Sequence, residues 1–381
     1  MKRKVAIIDT LGAHGGAFHF YTFGQSIGLI KVGVDVSLYT NNETNNPEIS
    51  KLKFFRFYQN VFSSKYKIIN GLRWISGSIT SILHARSSGV SIFHFHIFYT
   101  NVLVLFNLLL VKLLFGKVVL TIHDVASFAN NRESMIPSNL FYKLTDVILT
   151  HNQFSKAEII KLDSSLQERI SIIPHGNYTP FINVRKNKKK SRQYLGLPQD
   201  KEILLFFGMI KKVKGLDVLL KSLKDVVSIN PNTMLLIAGK TWENDFSYYQ
   251  HIIDQNSLSG NIILHNRFIP HDDVEYYYSA SDLVVLPYKK IYQSGVLMMA
   301  LSYEKPALVS DLLPLKEVVA DNENGFIFKS EDVNDLKEKI NIILSDKKNL
   351  ERVSENGRLS INKKFSWDQI GKLTKKAYQT L

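Results

Sequence analysis

The chain has 381 residues, 45% of them hydrophobic and 22% charged, with no cysteine and a net charge of +14. That length suits two domains, each large enough to bury a core, and the composition is that of a globular protein. The lack of cysteine excludes a disulfide framework and a Cys-ligated zinc site, and it fits a reducing compartment.

The predicted elements begin with a short apolar strand at Lys4–Asp9. The Met-Lys-Arg-Lys before it does not read as a leader, because the apolar run is short and no small-residue cleavage site follows. A Gly-rich turn, Gly12-Ala13-His14-Gly15-Gly16, leads to a helical stretch from Ala17 to Val32, and Gly33 stops it. Strands are predicted at Val34–Thr40, Ser91–His96, Lys117–His123, Asp146–His151 and Ser171–Pro174, with helical-length segments between them. The stretch Val102–Phe115 is too short to cross a membrane and reads as a buried helix, with an interfacial helix as the alternative. The second half repeats the alternation, with strands at Glu202–Phe207, Thr233–Ala238, Asn261–Leu264, Leu283–Pro287 and Pro306–Val309. Its helices are predicted at Leu216–Val227, Asp332–Leu344 and Leu350–Phe365. Strand–helix alternation of this kind implies doubly wound, parallel α/β domains.

The charge is unevenly spread. Residues 1–185 hold 19 Lys/Arg against 10 Asp/Glu, the connector 186–192 adds five more cations, and residues 193–381 hold 24 of each sign. The run Arg185–Arg192 is expected to be a solvated loop. An excess confined to the first half suits an anionic partner, membrane or nucleic acid, or else a plain solubility surface.

In parallel sheets ligands bind beyond the carboxyl ends of the strands, so the residues just after each strand carry the chemical interest. In Phe207-Gly208-Met209-Ile210-Lys211-Lys212-Val213-Lys214-Gly215 a strand ends at a glycine, three lysines follow, and a second glycine opens a helix. Lysines beside the amides of a helix start suit a diphosphate; a solvated basic loop is the plainer alternative. In Pro287-Tyr288-Lys289-Lys290-Ile291-Tyr292-Gln293-Ser294-Gly295-Val296 a second strand runs through a polar loop into an apolar helix. Ser294 there is a natural cap, and the first-turn amides also face an anion.

These segments, with Leu235-Leu236-Ile237-Ala238-Gly239, Phe268-Ile269-Pro270, Glu304-Lys305-Pro306-Ala307, Gly325-Phe326-Ile327-Phe328 and Phe365-Ser366-Trp367, resemble in order and spacing the donor-binding half of the glycosyltransferases of family four. The first half resembles that family more loosely, through Gly15-Gly16, Thr121-Ile122-His123-Asp124 and Ile173-Pro174-His175-Gly176-Asn177. The resemblance implies the GT-B fold: two Rossmann-like parallel-sheet domains facing each other across a cleft. It implies an acceptor-binding domain at 1–178, a basic linker at 179–196 and a donor-binding domain at 197–365, with a C-terminal helix near 366–381 packing back on the first domain.

The same resemblance implies roles. Lys211 and Lys214 neutralise the departing diphosphate, and amides near Ser294, Gly295 and Val296 bind its oxygens. Phe268 and Ile269 meet the nucleobase. Gly15 and Gly16 approach the diphosphate and sugar, His123 touches the transferred sugar, and Asp124 sits beside it; these last two are the candidate catalytic residues. The donor is a nucleotide-diphosphate sugar, UDP rather than GDP. With no D-x-D pair after a strand, no obligatory metal is expected, because lysines and helix amides can stabilise the leaving group themselves.

The sequence departs from the family at four points. Ile291 and Met299 stand where the family has two glutamates, Met209 where it has an arginine, and Glu304 where it has a glycine. Gln293 is the candidate substitute for the lost sugar contact. Phe54–Tyr58 and Tyr66–Leu83 mix basic residues with aromatics and aliphatics, which fits either core packing or peripheral attachment to anionic lipid at the inner face of a membrane, with a lipid-linked or oligosaccharide acceptor. The expected function is transfer of a hexose in surface polysaccharide or glycolipid synthesis. A catalytically silent GT-B binding protein is the alternative. A nucleic-acid-binding protein is disfavoured by the absence of a recognised module, and a Rossmann dehydrogenase by the absence of G-x-G-x-x-G after the first strand.

Overall fold

The computed structural model describes residues 3–16, 18–98, 100–125, 138–182, 186–242 and 245–381. It divides into two compact units: Met1–Gly176 with Phe365–Leu381, and Asn177–Lys364. Among the described residues no helix is long and apolar enough to cross a membrane.

The first unit is built on seven parallel strands: β1 (Lys4–Asp9), β2 (Asp35–Asn41), β3 (Lys53–Tyr58), β4 (Ile92–Ile97), β5 (Lys117–Ile122), β6 (Val147–Thr150) and β7 (Ile170–Ile172). Their order in the sheet is β3-β2-β1-β4-β5-β6-β7. The second unit has six: β8 (Glu202–Phe207), β9 (Thr233–Ala238), β10 (Ile262–His265), β11 (Leu283–Leu286), β12 (Ala307–Ser310) and β13 (Phe326–Phe328), in the order β10-β9-β8-β11-β12-β13. The central strands are largely apolar and buried on both faces, as helices on both sides of a parallel sheet require, with His94 and His96 of β4 among the polar exceptions in the first sheet. Two parallel α/β sheets are the expected fold class. In each sheet the order reverses once, between β1 and β4 and between β8 and β11.

Local readings are refined, and one is corrected. The segment Phe54–Tyr58 is an edge strand: Phe55 stacks on Tyr39 at 5.0 Å, and both Phe55 and Phe57 pack against His84. Lys53 and Arg56 interrupt its apolar pattern because only one side of an edge strand is fully covered. Residues 188–194 of the basic connector are a helix, not a solvated loop. Asn187 caps it by accepting the amide of Lys190 at 3.2 Å, and Arg192 turns inward. The Arg192 guanidinium donates to Asp282 at 2.7 Å and to the carbonyls of Ala280 and Gln199. Arg185 lies outside the described residues. Helix α1 is Phe18–Lys31, α2 is Lys67–Ser87 and α3 is Val102–Leu113. Helix α3, read as buried or interfacial, buries Asn107, Leu108 and Val111, and Leu109, Leu113 and the following Phe115 face outward. A single helix laid on a sheet can bury only one stripe, so an all-apolar sequence leaves apolar side chains outside.

The C-terminal helix, Trp367–Tyr378, lies on α1 in the first unit. The approach is set by glycines. A Cβ on Gly28 would stand 2.1 Å from the carbonyl oxygen of Trp367, and one on Gly371 would stand 2.2 Å from that of Gly28. The Trp367 ring fills the space beside Gly24 and Gly176. Gly28→Ala or Gly371→Ala therefore forces backbones apart, and we expect each to destabilise the first unit by about 1–3 kcal/mol, read as a lowered urea midpoint. An unchanged midpoint in both would refute the close approach.

Candidate functional site

At the switch point of the first unit, β1 ends at Asp9 and the chain turns through a single 3-10 turn, Gly12–Gly15. The turn is stapled from beneath. Asp9 accepts the Gly12 amide at 2.9 Å and the Thr22 hydroxyl at 3.0 Å. Asn41 donates to the Leu11 carbonyl at 2.6 Å, and Thr44 accepts the Ala13 amide at 2.9 Å. Burial pushes the Asp9 carboxyl up to about 6 against these hydrogen bonds, which lower it. Gly15 closes the turn, and Gly16 follows with no atom within 4 Å of the place a Cβ would take.

Along the same carboxyl edge runs a row of histidines: His94 and His96 in β4, His123 after β5, His151 after β6 and His175 after β7. Three of them are hydrogen-bonded in series. His96 Nδ1 meets His123 Nε2 at 3.1 Å, and His123 Nδ1 meets His151 Nε2 at 2.9 Å. His151 Nδ1 donates to the Ile173 carbonyl at 3.0 Å, and His96 Nε2 lies 2.9 Å from the Gln25 amide on α1. Tyr21 of α1 packs edge-on against His96, His123, His151 and His175, and also against Trp367. Burial lowers all five: His94 and His175 to about 3, His151 to about 4, and His96 and His123 well below the ordinary range. His123, the candidate sugar contact, is thus an uncharged ring with both nitrogens engaged by neighbouring histidines, and Asp124 follows it half-buried. Among the described residues no group of three or more histidines or carboxylates is arranged to hold a metal ion. His96 also lines a cavity of about 280 Å³ with Thr10, Lys67, Trp74, Phe98 and Asn101.

In the second unit, adjacency of β8 and β11 brings two loops together. The amide of Lys289 donates to the Val213 carbonyl at 2.9 Å, and Gly215 sits against Pro287. Gly215 has φ 68°, and a Cβ there would lie 1.7 Å from the Pro287 carbonyl oxygen, so only glycine fits. Lys211 Nζ stands 4.1 Å from the centre of the Trp242 ring, and Lys214 Nζ stands 3.8 Å from that of Tyr288. Cation–π contact orders an ammonium without cancelling its charge. Among the described residues no carboxylate pairs with Lys214, whereas Lys289 is neutralised by Asp217 at 2.8 Å. The helix Gly295–Ser302 begins beside this loop: a Cβ on Gly208 would touch Val296 at 3.4 Å. Ser294 caps the helix by accepting the Leu297 amide at 3.1 Å, and the helix itself offers no acceptor to the amides of Gly295 and Val296. Gln293 Oε1 is buried without a hydrogen-bond partner among the described residues.

The fold thus gathers Lys211, Lys214, Gln293, Ser294, Gly295 and Val296 at one switch point. Phe268 and Ile269 lie apart, on the loop after the sheet-edge strand β10, with Phe268 exposed and Ile269 buried. Met299 is buried and Ile291 half-buried. Glu304 adopts φ 57°, the conformation that favours the family's glycine, and its carboxylate takes a hydrogen bond from Arg358 at 2.9 Å. Sequence reasoning missed Trp242 and Tyr288 as seats for the lysines, although both lie in the loops that follow β9 and β11. It also missed Gln25, His96 and His151, because their link to His123 is spatial.

A buried histidine held neutral adds stability above its ordinary pKa near 6.5. That stability is lost as pH falls toward the lowered folded value, because the unfolded chain takes up the proton first. Asp9 has the opposite sign: its stability is present below the ordinary carboxylate range and lost as pH rises through about 6. We expect the unfolding free energy to fall between pH 6.5 and 4 with a slope of several protons. Asp9→Asn should steepen it by about one proton and His175→Asn flatten it by about one. A flat profile in urea titrations would overturn the neutral row.

Two family profiles match the chain: "Glycosyltransferase Family 4" over residues 19–177 and "Glycosyl transferases group 1" over residues 187–360. Spore coat protein SA of Bacillus subtilis is 25% identical over 205 residues, and the match covers 51% of this chain and 53% of that protein. The capsular polysaccharide biosynthesis glycosyltransferase CapM of Staphylococcus aureus is 27% identical over 237 residues, covering 59% of this chain and 60% of its own. The chain thus spans between half and two thirds of the length of these relatives. Among solved structures, Anabaena HepE in complex with UDP and glucose superposes with a TM-score of 0.73 at 16% identity, covering 100% of both chains. With two profiles that together take in most of its length, and a fold that matches throughout, the chain belongs to the GT-B glycosyltransferases of the family-four type.

Proposed function

We propose that this chain transfers a hexose from a nucleotide-diphosphate sugar, UDP more readily than GDP, to a lipid-linked saccharide acceptor in the assembly of a surface polysaccharide or glycolipid. The observation that carries this reading is the convergence of Lys211, Lys214 and the first amides of the Gly295–Ser302 helix at the switch point of the second unit. As the C–O bond to the diphosphate breaks, negative charge grows on the leaving oxygen. Preordered ammonium groups and helix amides stabilise that charge more than the ground state. The clamp supplies this counter-charge without a divalent cation.

Gln293 takes the place of a family glutamate at the sugar, and its buried, unpartnered Oε1 supports that role as an acceptor for a hydroxyl. Phe268 and Ile269 meet the base, Gly15 and Gly16 meet the diphosphate and sugar, and His123 with Asp124 meets the transferred hexose. Retention of anomeric configuration follows the family resemblance. CapM, by its name, serves capsular polysaccharide synthesis, and HepE was solved with UDP and glucose; both support the choice of substrates.

The acceptor side is the first unit. Helices α2 and α3 leave Ile68 at 79%, Leu72 at 63% and Val102 at 67% exposed, with Phe115 beyond α3 at 92%. Lys65, Lys67, Arg73 and Lys112 stand in and beside these helices. Apolar side chains interleaved with cations suit peripheral contact with an anionic membrane at its inner face.

Calorimetric titration with UDP, GDP and ADP in the presence of EDTA should show micromolar binding of one diphosphate, weakened about 10- to 100-fold in Lys214→Ala, in line with loss of one charge-assisted contact. Absence of binding to all three would sink the reading. Binding with no transfer or hydrolysis of any sugar nucleotide would favour a silent GT-B binding protein, a role that the substituted glutamates permit. Leu72→Asp should lower co-sedimentation with anionic vesicles by at least about half; undiminished sedimentation would remove the membrane contact.

A further inference from the structure

The chain Gln25–His96–His123–His151 has an internal logic that fixes where every proton sits. It ends on the Ile173 carbonyl, which can only accept, so His151 carries its proton on Nδ1. Burial keeps the ring uncharged, and its Nε2 is therefore a lone pair that accepts from His123 Nδ1 at 2.9 Å. His123 Nε2 accepts in turn from His96 Nδ1 at 3.1 Å. His96 Nε2 must then accept from Gln25, 2.9 Å away. The Gln25 oxygen occupies that place, while its Nε2 is buried with no partner among the described residues. Turning the amide over satisfies both groups at once, since amide nitrogen and oxygen are told apart by their hydrogen-bond network. One polarity then runs from α1 across the ends of β4, β5 and β6.

We propose that Gln25, His96 and His151 are positioning residues that hold His123 as a neutral imidazole with its proton on Nδ1, so that its Nε2, which accepts from His96, is a hydrogen-bond acceptor for any group that takes that place. The His96–His123 link is the longest of the chain, and His96 is the member that borders the 280 Å³ cavity. A ligand group that replaces His96 at Nε2 must donate. A sugar hydroxyl does so, and a carboxylate or phosphate oxygen does not. This rests on the reading of His123 as the contact to the transferred sugar, and it assigns that contact to a hydroxyl.

The surroundings favour the uncharged state. His94 stacks on His96 at 4.7 Å, His175 lies 5.6 Å from His151, and Phe18, Tyr21 and Phe98 wall the chain. Asp124, next to His123, is the carboxylate adjoining the chain in sequence. A proton added at His96 would leave its Nδ1–H donating to His123 and make its Nε2 donate to the Gln25 oxygen.

The test is two-bond 1H–15N correlation of the histidine rings in the ligand-free full chain at pH 7. We expect His96, His123 and His151 as neutral Nδ1–H tautomers, the reverse of the form that dominates in water. Gln25→Glu offers only an acceptor and should draw a proton into the chain, raising one ring's titration by about one unit or more. The same variant should lower kcat at least about tenfold with little change in KM for the nucleotide sugar. Gln25→Met should leave the rings neutral and guards against a fold that does not tolerate the glutamate. Nε2–H tautomers, a charged ring in the wild type, or a Gln25→Glu chain that titrates like the wild type would overturn the proposal. The spectra need no turnover, so they separate failure of the proton assignment from failure of the glycosyltransferase reading.

Discussion

In a parallel sheet every strand ends at the same edge, and helical crossovers leave that edge to one side or the other. Where successive crossovers part, between β1 and β4 and between β8 and β11, neither helix layer covers the strand ends. The rest of each unit depends on this gap. In the second it receives two lysines and a helix start. In the first it receives a stapled glycine turn, and the histidine row extends from it across the ends of the neighbouring strands. The constraint is topological, and residues far apart in the chain become neighbours because their strands are.

The two units handle charge in opposite ways. The second keeps cations at the carboxyl edge, Lys211 against Trp242 and Lys214 against Tyr288, and among the described residues no carboxylate pairs with Lys214. Its other charges are largely matched: Lys289 with Asp217, Arg192 with Asp282. The first unit carries most of the net positive charge of the chain and forbids charge at its strand ends, where burial holds five imidazoles neutral. A desolvated ring that cannot charge must satisfy both nitrogens by donating with one and accepting with the other, which turns a cluster into an ordered series.

Much of this was legible. Strand–helix alternation located β1, β2 and most of their successors to within a residue or two, and the loops after β8 and β11, read together from their residue types, lie side by side. The edge strand β3 was not legible, because Lys53 and Arg56 break the apolar pattern where one side faces solvent. The short helix 188–194 hid in a lysine-rich run because its single buried cation, Arg192, is recognisable only once Asp282 is placed beside it. Helix α3 was ambiguous: its uniform apolar character fitted a buried or an interfacial helix, and it has a covered side and an open one.

The sequence by itself determined the two parallel α/β units, the positions of their carboxyl-edge loops, the cations and helix start that suit a diphosphate, and the family. Those are properties of segments of ten residues or fewer, written in periodicity and local residue type. Only the tertiary structure decided that Trp242 and Tyr288 seat the lysines, that Gly28 and Gly371 admit the C-terminal helix, and that His123 is one link in a series reaching from Gln25 to Ile173. Each of these joins residues from different elements, and the geometry that brings them within 2.9–3.1 Å of one another in the histidine series exists only after the strands have paired.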